Sequence, residues 1–273
     1  MPSIPTGVIT RNLIRFSGSE RASVTDQLAQ EEPLEIAVRH RGRRRVVAIT
    51  MRTPGDDPDL AVGFLFGEGL LPPELPLGDG AQEKANTITL TLPDNLDFDP
   101  RSLDRHGYTS SSCGVCGKTS LEQVYRALPY PELPRRPPVS VRMLYRLPER
   151  LRDAQTRFMA TGGIHAAGLF SSGGELLTLR EDVGRHNALD KVIGHHFRGS
   201  SLPLDTQVLV LSGRASFELL QKAAMAGLQT VISVGAPSSL AVSLAEEQGI
   251  TLCGFVRPGS LNAYTHAEFL ATD

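Results

Sequence analysis

Cysteine and long apolar runs are both scarce in this chain, and each scarcity narrows what it can be. Three cysteines among 273 residues cannot all pair with one another, so a disulfide framework is excluded. No run approaches the roughly 18 apolar residues that a membrane-spanning helix needs. The first residues, MPSIPTGVITRNLIRF, lack the basic segment, apolar stretch and small-residue cleavage site of a secretory signal. The expectation is a cytoplasmic protein with no membrane partner. In that reducing setting a C-x-x-C pair is reactive or metal-binding rather than a structural staple. Charge is nearly balanced, with 30 acidic residues against 28 basic ones for a net of −2, so nucleic acid is not an expected partner.

What is present falls into two parts. LEIAVRHRGRRRVVAITMR (34–52) reads as a β-hairpin turning at Arg41-Gly42, with Arg43, Arg44 and Arg45 on its solvated edge. Asp57 and Pro58 open a helix expected to turn Leu60, Phe64 and Leu71 to one side, and NTITLTL (86–92) alternates like a strand. The Pro-rich LPYPELPRRPP (128–138) breaks the pattern and sets an expected boundary. Residues 1–138 then form a smaller α+β domain and residues 139–273 an α/β domain. The second part is expected to hold a helix over 140–159 and a hairpin made from IHAAGLF and ELLTLR. Helices and strands then alternate to the end: GRHNALDKVIGHHF, TQVLVLS, ASFELLQKAAMAGL, TVISV, SLAVSLAEEQG and ITLCGFV. That alternation implies βαβ units and a mostly parallel sheet.

The chemistry centres on TSSSCGVCGKT (109–119), which carries Cys113 and Cys116. Its GKT ending imitates a phosphate loop, but the first glycine of that motif would fall at Ser112. A thioredoxin-like pair needs a strand-to-helix junction, and this loop is polar and follows no strand. Zinc needs four ligands, and only His106 or Cys253 could complete a closed site. Cys253, inside ITLCGFV, reads as a small buried apolar residue. Thr119 and Glu122 match a capping box, which sets the thiols just before a helix start, with Lys118 near by. Positive potential there favours thiolate, and flanking glycines leave sulfur open to another protein. Those features suit a sulfur carrier.

SSCGVCGK, TGGIHAAGLF, REDVGRHNALDKVIG, LSGRASFELLQKAAMAG and GFVRPGSLNAYTH resemble, in that order, blocks of the formate dehydrogenase accessory sulfurtransferase family, FdhD. The resemblance implies a protein that takes persulfide sulfur from an L-cysteine desulfurase. It would pass that sulfur to molybdenum bis(molybdopterin guanine dinucleotide) on behalf of the formate dehydrogenase catalytic subunit. It also implies a homodimer, a cytidine-deaminase-like fold for residues 139–273, and catalytic roles for Cys113 and Cys116, with Cys113 carrying the persulfide. Deaminase activity itself is not expected, because Ala167 stands where H-x-E would need glutamate after His165. A zinc-stabilised nucleotide-binding module or a nucleotide-modifying enzyme is the alternative.

A guanine dinucleotide cargo needs donors for its phosphates and partners for its base edges. Gly162, Gly163 and His165 sit at a strand entrance where the backbone can approach a ligand closely. Gly213 and Arg214 lead from a buried strand towards a helix start, an expected anion site where GDP, as a partial mimic, would place its phosphates. Asp182, Arg185, His186 and Asn187, with Arg180, Asp190 and Lys191 around them, are expected to form a polar wall. Arg257 stands at the carboxyl end of the last buried strand. The resemblance assigns that whole segment, Phe255, Val256, Arg257, Pro258, Gly259 and Ser260, to the molybdenum cofactor.

Overall fold

The computed structural model describes residues 4–77, 80–98, 128–134 and 136–272. The expected cysteine loop, with Cys113 and Cys116 and the capping box after it, lies outside the described residues. The first elements, β1 (Val8–Ser17) and β2 (Glu20–Ala29), pair antiparallel along their whole length. The sequence carries no apolar alternation to announce this ribbon, because most of its side chains are exposed on both faces.

β3 (Glu32–His40) and β4 (Arg43–Arg52) form the expected hairpin. Arg41 and Gly42, at φ 48° and 73°, supply the two positive-φ positions of a tight two-residue turn. With β5 (Ala81–Lys84) and β6 (Thr87–Thr91) they build a four-stranded sheet in the order β4-β3-β6-β5. β4 is an outer strand, where Arg43 and Arg45 are exposed as expected, whereas Arg44 pairs with Glu35 at 2.5 Å.

α1 (Asp57–Gly67) departs from the expected one-sided helix. Leu60, Ala61, Val62, Leu65 and Phe66 are all fully buried, so the helix is enclosed on every side. It lies between the four-stranded sheet and α5 (Arg185–Arg198). The two helices cross at Gly63 and Gly194, where a Cβ on either would stand 1.9 or 1.8 Å from a carbonyl oxygen of the other helix. Only glycine permits that approach.

Residues 140–159 form three short helices rather than one: α2 (Val141–Leu144), α3 (Leu147–Ala154) and α4 (Thr156–Thr161). Pro148 fits the first turn of α3 but cannot continue a helix arriving from before it. Gln155, at φ −78° and ψ 85°, leaves helical geometry and separates α3 from α4. Glu181 then accepts from the backbone N–H groups of Arg157 and Phe158, at 3.0 and 2.8 Å, and so caps α4.

The remaining order follows the expected alternation. β8 (His165–Phe170) and β9 (Leu176–Asp182) are a hairpin. α5 leads to β10 (Val208–Leu211), α6 (Phe217–Met225) to β11 (Thr230–Ser233), and α7 (Ser239–Glu247) to β12 (Thr251–Arg257). β13 (Ser260–Ala263) turns back along β12. The sheet order is β13-β12-β11-β10-β8-β9, in which β10, β11 and β12 are parallel and β8 and β13 run the other way. A short pair, β7 (Val139–Ser140) with β14 (Leu270–Ala271), ties the start of this half to its end.

Both faces of the inner strands are buried, and residues alternate between them along β8, β10, β11 and the start of β12. Ala167, Leu169, Leu209, Leu211, Val231 and Leu252 join the core of α1, α5, α6 and α7. Ala166, Phe170, Val208, Val210, Ile232 and Cys253 meet Leu144, Leu147 and Leu151 on the other side. The first core continues without a break into Leu34, Ile36, Ile88 and Leu90 of the four-stranded sheet. At about 1.5–3 kcal/mol for each large apolar side chain buried, that shared core holds the N-terminal elements against the large sheet.

Candidate functional site

β10, β11 and β12 end at one edge of the sheet, and β8, running opposite, begins there. Ligands of open α/β sheets gather at such an edge. A cavity of about 650 Å³ occupies it. One wall is the turn into β8, with Gly162, Gly163, Ile164 and His165; a second is the end of β12, with Val256, Arg257 and Pro258. Leu151, Arg152, Gln155 and Phe158, from α3, α4 and the break between them, close it.

Six residues singled out in the sequence therefore meet at one cavity: Gly162, Gly163, His165, Val256, Arg257 and Pro258. Ser212 lines it too, and its Oγ accepts from the Ala166 backbone N–H at 2.8 Å, which fixes the first turn of β8. Gly213 adjoins this group, since a Cβ there would stand 3.5 Å from the His165 ring. Arg214 is exposed beside it, with its stem packed over Gly235 at the end of β11. Phe255 is 46% exposed at φ 52°, and Gly259 and Ser260 carry the chain into β13. These three follow the turn away from the cavity lining.

The residues of REDVGRHNALDK are turned largely inward. Asp182 is completely buried and sits 2.7 Å from the Nζ of Lys191, itself completely buried. The same carboxylate accepts from the backbone N–H of Thr53 and of Gly184 and from the Asn187 amide, at 3.1, 2.8 and 3.1 Å. Lys191 also donates to the Thr53 carbonyl at 2.8 Å. This network joins β9, α5 and the end of β4 into one piece. Arg180 reaches Asp59 of α1 at 2.9 Å, and Lys222 pairs with Asp190 at 2.7 Å. Burial pushes the Asp190 carboxyl above its usual range even against the pull of Lys222.

His186 links α5 to α6 through Glu218, 3.0 Å from Nε2, with Ser216 Oγ at 3.4 Å. Half-burial lowers the pKa of His165, and the neighbouring Arg185 and His186 lower it further against the opposing Asp182. His165 is therefore a neutral imidazole at neutral pH. The cavity thus offers apolar walls, a neutral imidazole, and at its edge the exposed guanidinium-bearing side chains of Arg152 and Arg257, which outnumber the one exposed carboxylate there, Glu149. That combination suits a flat ligand carrying an anionic tail.

Among the described residues, no cluster of three or more His, Cys, Asp or Glu side chains is placed to hold a metal ion. Cys253 is fully buried, and burial pushes its thiol up to about 12, which makes it inert as a nucleophile or ligand. Gln155, Phe158, Arg152, Val183 and Ser212 line the cavity without having been singled out in the sequence. The break at Gln155 was the missing signal: inside an unbroken helix over 140–159, nothing distinguishes it.

Residues 29–271 match the FdhD/NarQ family. The chain is 46% identical to the sulfur carrier protein FdhD of Streptomyces coelicolor, covering 96% of this chain and 95% of that protein. It is 43% identical to the one from Mycobacterium tuberculosis (94% and 96% covered) and 40% identical to the one from Picrophilus torridus (95% and 97%). A solved structure from Desulfotalea psychrophila, described as a formate dehydrogenase accessory protein, superposes with a TM-score of 0.73. It covers 97% of this chain and 99% of that one at 22% identity, which speaks to the fold.

Proposed function

The chain belongs to the FdhD/NarQ family, and we propose that it carries persulfide sulfur from an L-cysteine desulfurase to molybdenum bis(molybdopterin guanine dinucleotide) for formate dehydrogenase. The observation that carries this reading is identity of 40–47% to proteins named as sulfur carriers, nearly end to end, in a chain with a glycine-flanked C-x-x-C. In the first step the Cys113 thiolate attacks the terminal sulfur of the desulfurase persulfide. A sulfur–sulfur bond forms on Cys113 as the one on the desulfurase breaks, and the desulfurase cysteine leaves as thiolate. Cys116, three residues on, assists the onward transfer or accepts the sulfur.

Residues 139–273 serve as a cytidine-deaminase-like cofactor-binding domain, and residues 1–138 contribute the cysteine loop. The cargo's guanine nucleotide occupies the cavity at the sheet edge, its phosphates towards the arginines, and the working unit is a cytoplasmic homodimer. What supports this placement is the convergence of Gly162, Gly163, His165 and Arg257 on one 650 Å³ cavity of suitable size and chemistry. Among the described residues no helix is long and apolar enough to cross a membrane.

The test is reconstitution of formate dehydrogenase from cofactor lacking the sulfur ligand, with desulfurase, cysteine and this protein. Activity should appear with the parent chain and be absent with Cys113→Ala. Equal activation by Cys113→Ala would rule the carrier role out.

A further inference from the structure

Gln155 occupies the break between α3 and α4, lines the cavity, and is only 4% exposed. Its Nε2 has no hydrogen-bond partner among the described residues. A buried amide nitrogen without an acceptor destabilises the fold that contains it, and native structures seldom keep one. The rest of the lining explains why this one persists. The side chains of Leu151, Phe158, Ile164 and Val256 in the same lining are apolar, and none of the polar side chains there, Glu149, His165 or Ser212, accepts from it.

We propose that Gln155 is a ligand-contact residue of this cavity, its amide donating to a carbonyl oxygen on a flat heterocyclic ring. The inference rests on the nucleotide-cargo reading above and assigns the base end of that cargo to Gln155. Rotation about the last side-chain torsion turns Nε2 to the cavity surface, because that torsion is broad and two-fold. The ring then lies between apolar walls while its anionic tail reaches Arg152 and Arg257, both exposed at the cavity. In the guanine part of the proposed cargo the ring carbonyl is the matching acceptor. In the free protein no described residue accepts from this donor, and the bound ring completes it, so stability and affinity respond to this residue in opposite directions.

That opposition is the test, made on the full chain with GDP as probe. Gln155→Met, close in volume and without the amide, should melt at the parent temperature or above it. Its GDP dissociation constant should rise about tenfold, the loss of one hydrogen bond of roughly 1.4 kcal/mol. Gln155→Glu, which keeps an acceptor and loses the donor, should bind GDP as weakly as Gln155→Met. Unchanged GDP affinity in Gln155→Met overturns the proposal, and so does a marked fall in its melting temperature, which would make the amide structural. A parent protein that does not bind GDP at all would instead remove the guanine-cargo reading on which the inference rests.

Discussion

Replacing Gly194 by alanine should damage the fold more than any other single methyl group added to α5. A Cβ at that position stands 1.8 Å from the Asp59 carbonyl oxygen and 2.7 Å from the backbone nitrogen of Gly63. Real Cβ contacts essentially never fall below 3.0 Å, so α1 and α5 must part by more than 1 Å at their crossing. Asp59 sits at that point and holds Arg180 at 2.9 Å and Arg198 at 2.5 Å, so separation strains both pairs as well as the shared core. Overpacking of this kind costs about 1–3 kcal/mol, and rigid backbone on both sides puts this case at about 3 kcal/mol. For a chain of this size the melting temperature should fall by about 6–12 °C, followed by circular dichroism or calorimetry. Gly63→Ala meets the same crossing at 1.9 Å from the Asp190 carbonyl, so the double variant should lose less than the sum of the two. Gly163→Ala, whose nearest neighbour would be 3.8 Å away, is the control. A Gly194→Ala protein melting within about 2 °C of the parent would refute the tight crossing.

Lys191→Met should destabilise the protein by about 3–5 kcal/mol, read from the urea midpoint, because it leaves the Asp182 carboxylate buried without its cation. A shift below about 1 kcal/mol would show that the backbone donors to Asp182 suffice alone. Acid should also weaken the fold through His196, whose imidazole meets Thr178 Oγ1 at 2.9 Å and whose pKa is lowered from 6.5 to about 4, chiefly by burial and then by His195 and Arg180. A histidine depressed in the fold contributes stability that is complete above about pH 6.5 and is lost as pH falls towards 4. His165 adds a contribution of the same sign. His196→Gln should flatten the stability profile between those pH values, and an unchanged slope would place the titrating group elsewhere.

The parts of the fold legible in the sequence are those where local chemistry and tertiary packing agree. Arg41-Gly42 marks a two-residue turn between apolar strands, and the C-terminal helices and strands each carry their own period. Where packing decides, the sequence misleads. The exposed β1–β2 ribbon has no buried face to pattern it, and α1 is enclosed by two layers rather than one. At the site, glycines before β8 and an arginine at the end of β12 were readable because strand ends at the carboxyl edge favour ligands. The inward turn of Asp182, Asn187 and Lys191 was not readable, because helical spacing shows which residues share a face and not whether that face meets solvent or Thr53. Gln155 stayed hidden for a related reason: its role depends on a helix break imposed by the fold.

The measurement that bears most directly on sulfur carriage is the intact mass of the protein after incubation with an L-cysteine desulfurase and cysteine. The account predicts a gain of one sulfur atom that reductant removes, that persists in Cys253→Ala because that thiol is buried and protonated, and that is lost in Cys113→Ala. A gain of the same size in Cys113→Ala, or none in the parent chain, would contradict it.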